Sequence, residues 1–524
     1  MSLTKFVGLL AGTALAGSAF AASIETNNDA MSQIAELKKE VAELKSSNGD
    51  KWLTEQRSQE IRSVVQDVLS DADTRSSLQA AQATAGWNKG FFLSSPDGNF
   101  KLNVGGQLQT RYAYNWLSNR DMTKSSNLGV STPTNNFNTQ GVAKAAYGFE
   151  VRRAKLEFSG HVVDPSWQYA VTIAYQQYFG SNTTSAPAGG GGVTQGDPAT
   201  AGGTGYFGLE NAYILKDMGN GFSVQVGQFK SAMLREWIVS SKYQLTVERS
   251  LVSTLFNTGW TQGIGLNWHN DNIRAMGSFN DGGNNANLGS VSGTNVNTTP
   301  NAGVGFTQWA FTGRGEFMAF GNWAQFDDLT SMRGEASGLL VGAAINLQRG
   351  GQQSNLTTTN AIPANGNADG QFLTWTLDAT WDLGGANIYG AWVMNTSSSL
   401  PGGHGNINSY GAVLQGGYFI TDTIELFGRW EWMNIQDKNN SVATNNVSAN
   451  TPNNAAVNNI GTVGANWYIS GKNVKFTTDF GVSWNPVTFQ TGLYGQNIAG
   501  ADYRTEGKDG GGQLVARAQL QLLF

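Results

Sequence analysis

Residues 474–484 read VKFTTDFGVSW. Val474, Phe476, Thr478, Phe480, Val482 and Trp484 fall on one face. Lys475, Thr477, Asp479, Gly481 and Ser483 fall on the other. Apolar residues at every second position define a strand with one oily and one wet side. The same alternation recurs along the chain. It places strands near 99–117, 146–161, 166–179, 206–216, 222–229, 260–268, 272–280, 306–319, 337–348, 371–382, 386–394, 408–419, 423–434, 459–470, 473–485 and 514–524. Sixteen is an even number, as a closed antiparallel barrel in a bacterial outer membrane requires.

The connections sort by length. After the even strands, with one exception, the joint is tight, as at Val162–Pro165, Asp217–Gly221, His269–Asp271, Leu383–Gly385, Ile420–Asp422 and Gly471-Lys472. After every odd strand it is long: 118–145, 180–205, 230–259, 281–305, 349–370, 395–407, 435–458 and 486–513. Short turns at one end and long loops at the other mark an outer-membrane barrel. Phe320–Ala336 departs from this pattern. Either the eighth strand runs on past Trp323, or this turn has structure of its own. The final strand, Leu514 to Phe524, ends the chain on an aromatic. Tyr112, Tyr114, Trp116, Trp309, Trp430, Trp432, Trp467 and Trp484 lie near strand ends on the oily face, where interfacial girdles form.

Upstream of the strands, Phe6 to Ala22 carries no charge, and Lys5 precedes it. Ala19-Phe20-Ala21 is a small-x-small cleavage signal, so residues 1–21 read as a signal peptide. The segment 22–86 reads as a periplasmic stalk. Ile34, Leu37, Val41 and Leu44 are spaced three, four, three, the a/d alternation of a coiled coil. Ile61, Val65 and Val68 give a second apolar stripe. A coil this short needs copies of itself to be stable. The alternative is a solitary amphipathic helix lying on the barrel or on a membrane. Residues 87–524 form the barrel domain.

Composition agrees. Charged residues are 14% of the 524, Gly numbers 67 and Cys is absent. No Cys means no disulfide framework, thiolate zinc site or cysteine nucleophile. The formal charge of −5 speaks against a basic nucleic-acid binder. Residues 25–75 hold 11 acidic and 7 basic side chains, so the strand-rich region is almost neutral. The three His stand apart from any nucleophile motif, and no P-loop or HExxH occurs, so no enzyme, metal or cofactor is expected.

The run WNKGFFLSSPDGNFKLNVGGQLQTRY (Trp87–Tyr112) resembles the opening of the phosphate-selective porin family, the porins O and P. FEVRRAKLEFSG (Phe149–Gly160) is similar to that family's second strand. Glu210-Asn211-Ala212-Tyr213, followed by Val226-Gly227-Gln228-Phe229-Lys230, is similar to its next hairpin. The resemblance implies trimers of sixteen-stranded barrels in outer-membrane lipid, with channels lined by Arg and Lys.

In a water-filled barrel the polar faces look inward. Alternation then makes Lys101, Arg111, Arg153, Lys155, Arg274, Arg314, Arg429, Lys475 and Arg517 the basic pore-lining, anion-binding candidates. Glu157, Glu316, Glu425, Glu431 and Asp479 are the acidic ones. Arg and Lys rings favour anions. The alternative is a weakly selective pore with internal salt bridges, such as Arg314 with Glu316. The third long loop, 230–259, is unusually apolar and should pack on protein. If it narrows the lumen, Lys230, Arg235, Lys242 and Arg249 face the constriction, against Glu236 and Glu248. Alternatively it caps a subunit interface. The reading is a passive channel for small hydrophilic solutes, preferring anions such as phosphate. The rival is a structural barrel that tethers the envelope, through its stalk, to peptidoglycan or an outer layer.

Overall fold

The computed structural model describes residues 32, 34–43, 59–67, 84–87, 90–118, 145–176, 206–283, 307–350, 371–398, 406–437, 454–487, 493, 501–504 and 511–524. The signal peptide, the tip of each stalk stripe (Leu44, Val68) and most of the long loops lie outside them. The chain divides into two units, 1–82 and 83–524.

In the first unit, residues 34–43 (α1) and 59–67 (α2) are helical. Ile34, Leu37 and Val41 are 45%, 60% and 46% exposed, so among the described residues of this unit nothing covers the apolar stripe of α1. Among the described residues, no helix is long and apolar enough to cross a membrane.

The second unit opens with two short strands, β1 (Thr84–Trp87) and β2 (Phe91–Ser94), paired as a hairpin that alternation alone did not reveal. Sixteen long strands follow. They are β3 (Lys101–Leu117), β4 (Ala145–His161), β5 (Trp167–Gln176), β6 (Tyr206–Gly219), β7 (Phe222–Lys230), β8 (Trp260–His269), β9 (Ile273–Asn280) and β10 (Thr307–Phe320), then β11 (Gly338–Gly350), β12 (Gln371–Asp382), β13 (Ala386–Ser398), β14 (Ile407–Phe419), β15 (Ile424–Asp437), β16 (Asn454–Lys472), β17 (Val474–Ser483) and β18 (Gln513–Leu523). Each pairs antiparallel with its sequence neighbour, and β18 pairs with β3 from Gln513↔Leu117 to Leu523↔Gln107. The sheet is a closed sixteen-stranded barrel. Closure removes the edge strands that an open sheet would leave unpaired. At the seam, the Phe524 amide donates to the Gly106 carbonyl (3.2 Å), and the Gly106 amide donates back (2.7 Å). Just beyond, β2 takes over the same edge of β3, Phe91 opposite Val104.

The alternation is visible in exposure. Along β12, Phe372, Thr374, Thr376, Asp378, Thr380 and Asp382 are buried, while Leu373, Leu377 and Trp381 face out. In β17, Lys475, Thr477, Asp479 and Ser483 point in, and Phe480 points out. Trp430, Trp467, Trp484 and Phe524 remain 40–59% exposed on the outer wall.

The short turns close as expected. At Gly221 (φ +80°) the backbone lies so near His269 that any side chain would collide with its carbonyl. The exceptional turn after β10 has structure of its own. Strand β10 stops at Phe320, and a 3-10 turn, Trp323–Asp327, begins under an Asn322 capping box. Phe326 and Leu329 are then buried.

The wall is not polar throughout its inner face. Phe372, Val393, Val413, Met433, Ile435, Ile460 and Val515 point inward and form one apolar cluster. What covers them is the third long loop.

Candidate functional site

The third loop, residues 231–259, folds into the barrel. It carries two short helices, α3 (Arg235–Ile238) and α4 (Leu251–Phe256), separated by a 3-10 turn at Ser241–Tyr243. The Ser250 side chain caps α4 by accepting from the Ser253 amide (2.9 Å). Leu245, Leu251, Val252, Leu255 and Phe256 are buried against the inward apolar residues of β12–β16 and β18. The fit is close at Gly411 on β14, where an added Cβ would lie 2.7 Å from Val252.

Polar anchors run from the loop to the wall. The Leu251 amide donates to Glu431 (2.6 Å) and the Val247 amide to Asp479 (3.2 Å). Asn466 donates to the Leu245 carbonyl (2.9 Å), and Lys475 to the Gln244 carbonyl (2.8 Å). Ser241 donates to Gln107 on β3 (2.9 Å). The loop thus touches walls on both sides of the seam. Two other segments meet it. The Leu493 amide, from the last long loop, donates to the Leu255 carbonyl (2.9 Å). From the turn after β10, the Leu329 amide donates to the Tyr243 carbonyl (3.2 Å), and the Phe326 carbonyl accepts from Arg235.

Most of the basic wall candidates sit in ion pairs. Arg314 binds Glu316 (2.8 Å) and both oxygens of Asp378 (2.8 Å each). Arg517 grips Asp479 through two nitrogens (2.7 and 2.8 Å). Lys155 meets Glu210 (2.6 Å), and Arg429 meets Glu431 (2.8 Å). Arg111 holds three carboxylates: Glu150, Glu248 (2.7 Å) and Asp502 (2.7 Å). Arg153 binds both oxygens of Glu248 (3.0 and 2.7 Å). Arg274 is half-buried, its guanidinium 4.0 Å above the Trp323 ring. Lys101, at the start of β3, lies 5.6 Å over Phe92.

The loop candidates divide. Lys242 pairs with Glu157. Arg235 lies 3.8 Å from Glu316. Lys230 donates to the Trp237 carbonyl (3.0 Å). Arg249 donates to the carbonyls of Glu236 (2.9 Å) and Val239 (2.7 Å) and lies 4.8 Å over Trp237. Burial, then the nearby Arg153, brings the Arg249 guanidinium down to about 10, which leaves it charged at neutral pH. Burial alone would push the Glu248 carboxyl up. Arg152, Arg153 and Arg111 together hold it well below the usual carboxylate range.

A family model described as phosphate-selective porin O and P matches residues 128–483. The chain belongs to that family. The porin is therefore an outer-membrane channel protein. None of the curated proteins matches it. Solved structures that match include outer-membrane expressed OmpT of Vibrio cholerae (11% identity, 81% of this chain and 98% of that one, TM-score 0.44). An anion-selective porin from Comamonas acidovorans matches at 12% identity over 81% and 99% of the chains, TM-score 0.42. The outer membrane channel DcaP of Acinetobacter baumannii matches at 10% over 81% and 98%, TM-score 0.41.

Two bulges change the porin's wall relative to strict alternation. On β4, Gln109 faces Arg153 but Thr110 faces Val151, so Arg152 is an extra residue. It turns inward and joins Glu248 (2.7 Å). Beyond the bulge the parity flips: Glu150 points in, and Phe149 is 87% exposed outside. On β6 the extra residue is Glu210, the partner of Lys155. An Arg at the lipid face costs ~2–4 kcal/mol near the bilayer midplane and a Glu less, so a bulge that turns either inward is favoured. The β4 bulge had a signal in sequence, since Arg152-Arg153 and Glu150 cannot all face water under strict alternation. With Glu150, Glu210, Asp378 and Asp382 also facing in, the basic excess expected for the wall shrinks to near balance.

Proposed function

We propose that this porin passes small hydrophilic solutes passively and prefers anions, and that the preference originates at the Arg111, Arg152 and Arg153 cluster. The supporting observation is the source of the counter-charge. Arg314, Arg429, Arg517 and Lys155 each have a carboxylate on the wall itself. The three clustered arginines have Glu150 from the wall, while Glu248 and Asp502 come from loops. The strands there carry three arginines to one carboxylate, and a low-dielectric surround strengthens the field of that excess wherever the loop carboxylates do not cancel it. The family's description, phosphate-selective, points the same way. Replacing Arg111, Arg152 and Arg153 by Ala should shift the reversal potential in a KCl gradient toward cations. An unchanged potential would remove the preference from this cluster.

The assembly is proposed as a homotrimer, with the stalk in the periplasm ahead of the first barrel strand. The uncovered stripe of Ile34, Leu37 and Val41 supports self-association. One observation favours the structural rival: the third loop and parts of the last loop fill the lumen with an apolar cluster. Open-channel conductance separates the two, because a plugged tether passes almost no current.

A further inference from the structure

Glu248 sits among three guanidinium groups. Its Oε1 accepts from Arg111 Nη1 (2.7 Å), Arg152 Nε (2.7 Å) and Arg153 Nη1 (3.0 Å), and its Oε2 from Arg153 Nη2 (2.7 Å). All four side chains are at least nine-tenths buried. Charge-assisted, partly bidentate contacts of this kind are how proteins hold free carboxylates and phosphates. The third guanidinium is present because of the β4 bulge, which adds Arg152 to a wall that already had two. That wall supplies one carboxylate to the three, and the loop supplies Glu248. A seat built on rigid strands is thus filled by a group mounted on a connection.

We propose that Glu248 is the channel's own resident anion, and that an incoming carboxylate or phosphate takes over its seat and releases the third loop from the wall. Narrowing of the lumen is then controlled by the solutes themselves. The inference rests on the reading of the barrel as an anion-preferring channel. Two competitors for one seat follow mass action, so the loop yields as the external anion rises relative to its affinity. The movement has a definable end: the cluster around Val252, Phe256 and Gly411 must part as the loop leaves.

The test is chemical rescue in the full-length protein. Glu248→Ala leaves a gap of carboxylate shape beside three arginines. Its melting temperature in detergent should rise and saturate with acetate or with inorganic phosphate. Chloride at equal ionic strength should not do this, and the unmodified protein, whose seat Glu248 already fills, should respond to acetate or phosphate only at higher concentration. Rescue by acetate alone confines the seat to carboxylates, and rescue by phosphate as well makes it a general oxyanion seat. If the Ala variant folds poorly in chloride, its refolding yield in acetate is the same readout. Glu248→Gln, which keeps the side-chain volume, should show its phosphate-dependent change in conductance at a concentration about tenfold lower than the unmodified channel. The chain has no Cys, so Val252→Cys with Gly411→Cys provides a clean lock. Oxidised, it should abolish the dependence of conductance on phosphate. Lack of rescue in a folded Ala variant, together with an unaltered phosphate dependence in the Gln variant, would overturn the proposal. A reversal potential without anion preference in the unmodified channel would instead overturn the reading on which it rests.

Discussion

At the scale of single residues, the lumen is an array of buried charges whose worth depends on their partners. Arg314 satisfies Glu316 and Asp378 together. Removing one member of a buried pair typically costs ~3–5 kcal/mol, because the survivors stay buried and uncompensated. Arg314→Ala should lower stability by about that amount, read as an earlier heat-induced loss of the folded barrel on a gel. The exposed pair of Arg333 with Asp422, 3.7 Å apart, tests the contrast: Asp422→Ala, which leaves the two Arg333 bonds to the Phe419 carbonyl in place, should cost less than ~1 kcal/mol. Glu248 makes the pH prediction. Its carboxyl is lowered in the folded state by three arginines, so its contribution is complete above the ordinary carboxyl value of ~4.3. The contribution fades only as pH falls through the depressed folded value. The melting-temperature gap between the unmodified protein and Glu248→Gln should therefore hold constant from pH 7 to about 5 and close only in stronger acid. A gap that closes between pH 7 and 6 would mean that the arginines do not control this carboxyl.

At the scale of elements, the strands were legible because a single rule governs them. Each strand from β3 to β18 begins and ends within a few residues of where alternation placed it, and the tight and long connections fell as sorted. The rule failed where the chain escapes it. Strict alternation has no term for an extra residue, so Arg152 and Glu210 were not recognised as inward bulges. Nor does it say that the inner face of β12–β16 turns apolar, because that follows from the loop that packs there. The loop's own apolar content was the visible half of that fit, and Gly411 is the less visible half. Deleting Arg152 should remove the bulge without shifting the register on either side. The barrel should still fold and migrate as a heat-modifiable species, while the Glu248 carboxylate of the third loop loses one of its three arginine partners. Failure to form a barrel would mean that the bulge is needed for closure and is more than a carrier for a guanidinium.

At the scale of the whole molecule, the sequence carried architecture better than electrostatics. Closure by pairing β18 with β3 follows from an even strand count and a terminal amphipathic strand. Net field in the lumen depends on which side chains meet, and Asp502 reaching Arg111 across 391 positions is invisible to local pattern. The stalk is tested separately. Deleting residues 25–75 should leave the barrel folded but lower the stability of the oligomer in detergent, since Ile34, Leu37 and Val41 lose the partners that would cover them. An equally stable truncated trimer would assign the stalk to wall tethering. The most direct test of the account is the zero-current potential of the unmodified channel across a planar bilayer separating concentrated from dilute KCl. A locally basic wall at the Arg111, Arg152 and Arg153 cluster predicts a sign showing that chloride crosses more readily than potassium, and a cation-selective sign would contradict it.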